Sequence, residues 1–211
     1  WGGEDIHVGL YADPEEAISA ASRRTVEHLA VQLEPISGQT RVLDLGAGFG
    51  GAARYLAATY GAQVTALNLS EVENERHRQL NQQAGLTDRI KVIDGNFEKI
   101  PCDDAQFDII WLQDALLHSG ARTQVLVEVD RVLRPGGQFI FTDPMQADDC
   151  PEGVLQPIFD RIHLDSLGSP GFYRAQAMEL GWRDLGFADH TQHLVTHYQR
   201  VGEETAKAAA G

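Results

Sequence analysis

The chain has 211 residues, enough for one domain with a buried core, and its 43% hydrophobic and 23% charged residues are ordinary for a soluble globular protein. No apolar run approaches the roughly 20 residues that a membrane span needs. The 31 acidic residues outnumber the 17 basic ones and give a net charge of -14, which disfavours nucleic acid as a substrate because its phosphates would be repelled.

The cysteines and the first residue of the chain give expectations about cellular location and truncation. Cys102 and Cys150 form neither a disulfide framework nor a metal-ligand spacing, and nothing resembles a signal peptide. We therefore expect a cytoplasmic protein without a membrane partner. The chain opens at Trp1 rather than Met, so we expect it to be truncated. The acidic surface suits either a high-salt cytoplasm or an ordinary acidic bacterial enzyme, and both interpretations stay open.

Helices and strands are predicted to alternate along the chain. The first helix covers 14–33, with Pro14 in its first turn and Pro35 and Gly38 after its end. Strands are predicted over 41–45, 63–69, 90–94, 107–113 and 138–143, and helices over 51–60, 71–84 and 121–133. Beyond residue 150 we expect helices near 152–165, 173–181 and 192–207, and one strand near 184–189.

The predicted strands are almost continuous apolar runs, which indicates a mostly parallel sheet covered by helices on both faces. The fold class is therefore α/β, doubly wound and Rossmann-like. Ligands in such sheets bind outside the carboxyl ends of the strands. Function is expected at five places, namely Asp44–Gly51, Asn68, Asp94–Phe97, Gln113–His118 and Asp143–Gln146.

The segment LDLGAGFGG (43–51) carries the strongest chemical signal, because glycines allow a tight turn that brings a ligand against the following helix. Gly46, Gly48 and Gly51 also satisfy the dinucleotide pattern, so the loop alone leaves a nucleotide-dependent oxidoreductase open. Asp44 favours a different ligand, since its carboxylate can attract the methionine ammonium of S-adenosylmethionine and would repel a pyrophosphate.

Two further features favour S-adenosylmethionine. A dinucleotide site expects an acidic residue at the end of the second strand, where this chain has Asn68. The segment LRPGG (133–137) precedes the fifth strand, as in many class I methyltransferases. Asn68 can still bond the ribose hydroxyls, Asn96 and Phe97 suit an adenine ring, and Gln113 would offer its backbone carbonyl to the ammonium. The candidate cofactor-binding residues are Asp44, Gly46, Ala47, Gly48, Asn68, Leu69, Gly95, Asn96, Phe97 and Gln113.

The whole chain resembles the bacterial sarcosine/dimethylglycine N-methyltransferases, which make the osmoprotectant glycine betaine. The matching segments are WGGEDIHVGLY (1–11), SRRTVEHLA (22–30), LDLGAGFGGAARYLA (43–57), NLSEVENERHR (68–78), QDALLHSG (113–120), TDPMQ (142–146) and DRIHLDSLGSPGFYR (160–174). The first and the last of these are far more specific than the others. Asn at position 68 is usual in that family. Its members carry further sequence before the tryptophan and a C-terminal portion with the last sheet strand, so the sheet is expected to lack an edge strand here.

This resemblance implies a single methyltransferase domain over residues 1–211. Residues 1–13 would form a lid, 40–145 the cofactor-binding core and 146–211 helices on the substrate side. The implied reaction transfers a methyl group from S-adenosylmethionine to the nitrogen of sarcosine or N,N-dimethylglycine and leaves S-adenosylhomocysteine. The alternatives are methylation of another small molecule and a catalytically silent module that binds the same cofactor.

The acceptor site is expected between the lid and the 160–174 segment. Its candidate catalytic residues are His118, His7 and Tyr11, and its candidate substrate-binding residues are Arg161, Arg174, Tyr173 and Trp1. An arginine would hold the acceptor carboxylate, and aromatic faces would surround the methylated nitrogen. For each histidine and arginine a purely structural or surface role stays open. Methyl transfer to an amine requires no Lewis acid, so we expect no metal, and the sequence makes no prediction of oligomeric state.

Overall fold

The computed structural model describes residues 3–33 and 35–210, so the predicted substrate residue Trp1 lies outside the described residues. Five strands form one sheet: β1 (Arg41–Leu45), β2 (Gln63–Asn68), β3 (Ile90–Asp94), β4 (Phe107–Gln113) and β5 (Leu133–Thr142). Their order is β3-β2-β1-β4-β5, and all four pairings are parallel. The predicted doubly wound α/β fold is therefore confirmed.

Seven α-helices accompany this sheet within the described part of the chain: α1 (Ile18–Ala30), α2 (Gly51–Tyr60), α3 (Glu71–Gln83), α4 (Arg122–Val132), α5 (Gln156–Ile162), α6 (Pro170–Glu179) and α7 (Thr191–Ala210). A short 3-10 turn covers Leu116–His118. In the ranges described, no helix combines the length and apolar character needed to cross a membrane.

Alternate residues of each central strand enter two separate cores, one on each face of the sheet. On β1, Val42 packs with Val26 of α1 and Leu56 of α2. The next residue, Leu43, belongs to the opposite core together with Val129 of α4. This alternation follows from the two-residue period of a strand, and it explains why the strands read as continuous apolar runs.

The first helix starts four residues later than predicted. Ala17 is extended, with φ -62° and ψ 135°, and α1 begins at Ile18. The preceding residues form a turn in which the backbone N–H of Glu16 donates to the carbonyl of Asp13. The Glu16 carboxylate accepts from the backbone N–H of Ala12 at 2.6 Å and pairs with Arg24. These contacts hold Glu16 in the turn, so the expected helix start at Pro14 was wrong.

The predicted strand near 184–189 was also wrong, because this segment has no regular secondary structure. Gly186 has φ +150°, and its backbone N–H donates to the Asp184 carboxylate at 2.8 Å. Leu185 and Phe187 remain exposed. A strand needs a neighbouring strand for its backbone groups, and none lies beside this segment in the structure described.

The fifth strand starts earlier than predicted, at Leu133 instead of residue 138. Phe107 of β4 pairs with Leu133, whereas Ile109 pairs with Gln138, so residues 134–137 form a bulge between two paired positions. The sequence RPGG therefore both ends α4 and interrupts the first part of β5. Residue 136, a glycine, has φ +77° within this bulge.

Candidate functional site

The glycine loop turns the chain from the end of β1 into α2 at the carboxyl edge of the sheet. The backbone N–H groups of Gly46 and Ala47 both donate to the carbonyl of Leu67, at 2.9 and 3.2 Å, and fasten the loop to β2. Gly48 and Gly50 have φ values of +49° and +78°, which residues with a side chain rarely adopt.

Close packing adds a second requirement for glycine in this loop. A Cβ atom on Gly50 would lie 1.9 Å from Nε2 of His77, which α3 buries directly behind the loop. On Gly48 it would lie 2.9 Å from Cδ1 of Ile6 in the N-terminal segment. The loop is therefore enclosed between α3 on one side and the N-terminal segment on the other.

Asp44 presents a carboxylate beside this loop. The side chain is 3% exposed, and its Oδ2 has no hydrogen-bond partner among residues 3–33 and 35–210. Burial and, to a smaller extent, the nearby Asp5 carboxylate raise the pKa of Asp44 to about 7, against the opposing effect of Arg54. A buried carboxylate oxygen without a partner suits a cationic ligand, so the site fits the ammonium group of S-adenosylmethionine.

Asn68, the predicted ribose residue, ends β2 with its side chain half-buried. Its Nδ2 donates to Oε2 of Glu73 at 2.8 Å, which leaves Oδ1 as an acceptor for a ligand. Glu73 was missed by the sequence analysis, although Ser70 and Glu73 have the spacing of a helix N-terminal capping box. Leu69, the next residue, is 72% exposed at the mouth of the loop.

The predicted adenine residues follow β3. The backbone N–H of Gly95 donates to the carbonyl of Asn68 at 3.1 Å and brings this turn beside β2. Asn96 is exposed, and its Oδ1 accepts from the backbone N–H of Glu98 at 2.8 Å. Phe97 is half-buried and packs against the core that contains Leu43. The two side chains therefore have local structural roles in addition to any contact with a ligand.

Gln113 ends β4 next to β1, so its backbone lies near the glycine loop. Its Oε1 accepts from the indole Nε1 of Trp111 at 2.9 Å, and its buried Nε2 has no partner within the part of the chain described. Its backbone lies at the carboxyl edge, and the role of its carbonyl toward an ammonium stays a prediction.

The N-terminal segment lies against the same edge, and we call residues 3–13 the lid segment. Two ion pairs fix its first part: Glu4 to Arg54 of α2 at 2.7 Å, and Asp5 to Arg23 of α1 at 2.9 Å. His7 is buried beside them, and its Nε2 is 3.9 Å from Oδ1 of Asp5.

Helix α1 also binds the backbone of the lid segment. The hydroxyls of Ser22 and Thr25 donate to the carbonyls of His7 and Val8, at 2.9 and 2.8 Å. The Arg24 guanidinium donates to the carbonyl of Leu10 at 2.6 Å. The polar positions in SRRTVEHLA therefore hold the lid segment.

The other predicted acceptor residues are spread over several places. His118 is exposed at the end of the 3-10 turn. The Tyr11 hydroxyl is 3.0 Å from Nδ1 of His197 on α7. Arg161 is exposed on α5, and Arg174 is exposed on α6, where its Nε is 3.4 Å from the Asp184 carboxylate. The structure thus gathers His7 and Tyr11 in the lid segment and does not bring the two arginines together with them.

Tyr173 contacts the carboxylate of Asp143, a residue that the sequence did not single out individually. The side chain is 7% exposed, and its hydroxyl donates to Oδ2 of Asp143 at 2.8 Å. Oδ1 of Asp143 accepts from the backbone N–H of Leu117 at 2.8 Å. Loss of hydration raises the pKa of Asp143 to about 7, although these two hydrogen bonds oppose the shift. The signals for Asp143 were its place at a strand end and within the segment TDPMQ (142–146).

Two more charged residues near this edge were missed. Asp114 follows β4 with φ +48°, and its Oδ1 accepts from the Thr142 hydroxyl at 2.8 Å. Arg122 is buried at the start of α4 and donates to the side chain and carbonyl of Ser166. Within residues 3–33 and 35–210, no group of three or more His, Cys, Asp or Glu side chains is placed to hold a metal ion.

The parallel sheet, the glycine loop and the buried Asp44 together define a class I S-adenosylmethionine-dependent methyltransferase. A family model described as a methyltransferase domain matches residues 43–141. The sarcosine/dimethylglycine N-methyltransferase of Halorhodospira halochloris is 58% identical over 204 residues, which cover 97% of this chain and 73% of that relative. The enzyme of the same description from Aphanothece halophytica is 55% identical and is covered to 74%.

A solved structure agrees with these relatives. A protein from Galdieria sulphuraria, assigned as a sarcosine dimethylglycine methyltransferase, superposes with a TM-score of 0.95 at 45% identity, over 100% of this chain and 79% of that one. The chain belongs to the family of sarcosine/dimethylglycine N-methyltransferases.

Replacement of Gly48 tests the glycine loop. Gly48→Val is expected to abolish S-adenosylmethionine binding in calorimetric titration, because the side chain needs space at Ile6 and φ +49° is unfavourable for valine. Gly85→Val is the matched control, since Gly85 has φ +67° and a Cβ atom there would meet no heavy atom within 4 Å. Unchanged affinity in a folded Gly48→Val protein would contradict the assignment.

Ionisation of Asp44 gives a second prediction. Because the folded-state pKa is raised, the stability that Asp44 contributes to the unliganded protein is lost as pH rises from about 4 through about 7. A cationic ligand favours the carboxylate, so its binding should release a proton. Affinity for S-adenosylmethionine should then rise by up to about tenfold per pH unit between roughly pH 5 and 7.

Asp44→Asn should weaken binding and flatten this pH dependence. Asp143 titrates in the same range, so Asp143→Asn is the control that should keep the slope. The assignment is wrong if the slope follows Asp143 and persists in Asp44→Asn.

Proposed function

We propose that this protein transfers a methyl group from S-adenosylmethionine to the nitrogen of sarcosine and of N,N-dimethylglycine, toward glycine betaine. The observation that carries the proposal is the similarity to relatives that are named for these acceptors, at 52–58% identity over 96–97% of the chain. The site supports it, since its partnerless buried carboxylate oxygen fits the cationic donor.

The residues around the glycine loop would hold the donor. S-adenosylmethionine supplies an electrophilic methyl group when bound. Asp44 and the Gln113 carbonyl would bind its ammonium, and Oδ1 of Asn68 would accept from a ribose hydroxyl. Gly46, Ala47 and Gly48 would approach it through their backbone, while Leu69, Gly95, Asn96 and Phe97 would surround its adenine. This set is supported by its place at the carboxyl ends of β1 to β4.

The chain must also prepare the acceptor. A secondary or tertiary amine has a pKa of about 10 in water, so its nitrogen is protonated at neutral pH and lacks the lone pair that forms the new bond. A dry pocket beside a cation lowers that pKa. The lid segment would exclude water from this pocket, and a histidine would accept the proton of the acceptor amine. His7 is favoured because its buried Nε2 has no hydrogen-bond partner in the described ranges, whereas His118 is exposed.

The charge of the protein fits the same proposal. A net charge of -14 agrees with an enzyme that stays soluble in the cytoplasm of salt-stressed cells, where glycine betaine acts as an osmoprotectant. The acceptor is a small amine with one carboxylate, and we propose neither nucleic acid nor membrane as a partner.

Methyl transfer to a panel of acceptors tests the proposed function. Glycine, sarcosine and N,N-dimethylglycine are incubated with the protein and S-adenosylmethionine, and the products are identified by mass. Sarcosine and N,N-dimethylglycine should each gain methyl groups, with glycine betaine as the final product. Phosphoethanolamine and a phenol serve as controls, and methylation of either one in preference to the amino acids would overturn the proposal.

Recognition of the acceptor carboxylate gives a separate prediction. We propose that Arg161 or Arg174 supplies the cation, because both lie in the segment specific to the family. Loss of a charge-assisted contact costs roughly 1.5–3 kcal/mol, so Arg161→Ala or Arg174→Ala should lower catalytic efficiency with N,N-dimethylglycine about 10- to 150-fold.

The uncharged amide of N,N-dimethylglycine is the control acceptor, and the arginine that binds the carboxylate should matter little for it. Cofactor affinity should stay the same in both variants. Equal effects on acid and amide in both variants would place the carboxylate elsewhere, and the buried Arg122 would be the next residue to replace.

A further inference from the structure

Four consecutive backbone amides of the lid segment donate to side chains from three different elements. Val8 donates to Oδ2 of Asp114 after β4 at 2.7 Å, and Leu10 donates to Oγ1 of Thr25 on α1 at 3.0 Å. Gly9 and Tyr11 donate to Nδ1 of His197 and of His193, both on α7, at 3.1 and 3.0 Å. No strand pairs with this segment in the described chain. Side chains hold these amides, and the Leu10 N–H also donates to the carbonyl of Ala21 at 3.0 Å.

The two α7 histidines are suited to this role only in one protonation state. An Nδ1 atom that accepts from a backbone N–H must carry a lone pair, so each of these contacts requires the neutral tautomer with its proton on Nε2. Burial and, to a smaller extent, the nearby His7 lower the pKa of His197 to about 4, so this ring stays neutral at physiological pH. The Tyr11 hydroxyl lies 3.0 Å from the same Nδ1.

Helix α7 also holds the residues that follow the lid segment. Arg200 lies one turn beyond His197, and its Nη1 is 3.7 Å from the Glu15 carboxylate. Helices α1 and α7 pack against each other, so the lid segment lies along both of them. A helix from the end of the chain therefore fixes the segment at its start, which carries His7.

From these contacts we infer that His193 and His197 are positioning residues for methyl transfer, which hold the lid segment over the acceptor by accepting the Tyr11 and Gly9 amides. This inference rests on the proposed function. Neither histidine needs to touch the acceptor or the donor, because each acts through the lid backbone. The first part of the lid segment is held separately by the Glu4–Arg54 and Asp5–Arg23 pairs.

The first part of the lid segment is held by ion pairs to α1 and α2, and the second part by the α7 histidines. We therefore expect cofactor affinity and catalytic efficiency to respond differently when an α7 histidine is replaced. Loss of an α7 acceptor should release the second part of the lid segment while its first part stays beside the glycine loop. Cofactor affinity should therefore change less than about threefold, whereas catalytic efficiency for the acceptor should fall about tenfold or more.

The test compares two substitutions at each histidine. In His197→Asn and His193→Asn, the side-chain Oδ1 takes the place of Nδ1 and keeps an acceptor. In His197→Leu and His193→Leu no acceptor remains, and a buried N–H is left without a partner. Hydrogen exchange of the full chain, followed by NMR, should show Gly9 losing about 10- to 100-fold protection in His197→Leu and Tyr11 losing a similar amount in His193→Leu. The asparagine variants should stay close to the original protein in exchange and in turnover.

His28→Leu is the matched control, because His28 lies on α1 with its ring 5.7 Å from that of His190 and makes no side-chain hydrogen bond to the lid segment in the structure described. Equal losses in the leucine and asparagine variants would mean a packing role and overturn the inference, as would unchanged exchange in both leucine variants. If His197→Leu does not fold, the half-buried His193 decides the outcome alone.

Exchange needs no substrate, so this result stands apart from the acceptor panel. Loss of Gly9 and Tyr11 protection without methylation of any amine would keep the anchoring and reject the proposed function. Methylation of sarcosine by all four variants at the original rate would keep the proposed function and reject the positioning role of the two histidines.

Discussion

Three aspartates at the carboxyl ends of parallel strands are at least half-buried: Asp44 in β1, Asp114 after β4 and Asp143 after β5. Removing a carboxylate from water is costly unless a partner replaces the lost hydration. The three carboxylates differ in the hydrogen-bond partners that replace their lost water. Asp143 accepts from Tyr173 and Leu117, and Asp114 accepts from Thr142 and from the lid backbone. Oδ2 of Asp44 has no such partner in the described structure, and this oxygen defines where a cation can bind.

The partners of these carboxylates explain how distant parts of the chain reach one edge of the sheet. Asp143 draws α6 onto β5 through Tyr173, and Asp114 draws the lid segment onto β4 through Val8. Asp5 lies close enough to raise the pKa of Asp44, so the lid segment in its observed position increases the electrostatic cost of ionising Asp44. A bound ammonium would offset that repulsion. Cofactor binding and lid closure should therefore favour each other, and the coupling is electrostatic.

The sequence predicted the parts of the fold that depend on local pattern. The ranges 41–45, 90–94 and 107–113 are the observed β1, β3 and β4, because buried parallel strands are continuous apolar runs. The prediction of a strand near 184–189 was wrong because strand pairing depends on a neighbouring strand, which the sequence pattern of this segment does not reveal. In the candidate site, Asp44 and Gly48 could be predicted because a motif marks them. Asp143, Asp114, Glu73 and the α7 histidines were missed as individual residues, because their roles come from contacts between elements far apart in sequence.

Individual contacts hold the lid segment, and they suit the opening and closing that a lid over the proposed acceptor site would need. Strand pairing would join its backbone to the sheet in a repeating ladder, which is cooperative and hard to release. Here separate acceptors hold the amides one by one, and Ser22, Thr25 and Arg24 donate to the carbonyls between them. Each contact costs little to break in water, where backbone groups are hydrated. A segment held by many small, replaceable contacts can be ordered when the site is occupied and can still release the product. The same arrangement fixes which atoms the lid presents to the site, because side chains of α1, α7 and Asp114 bind its backbone at each residue from His7 to Tyr11.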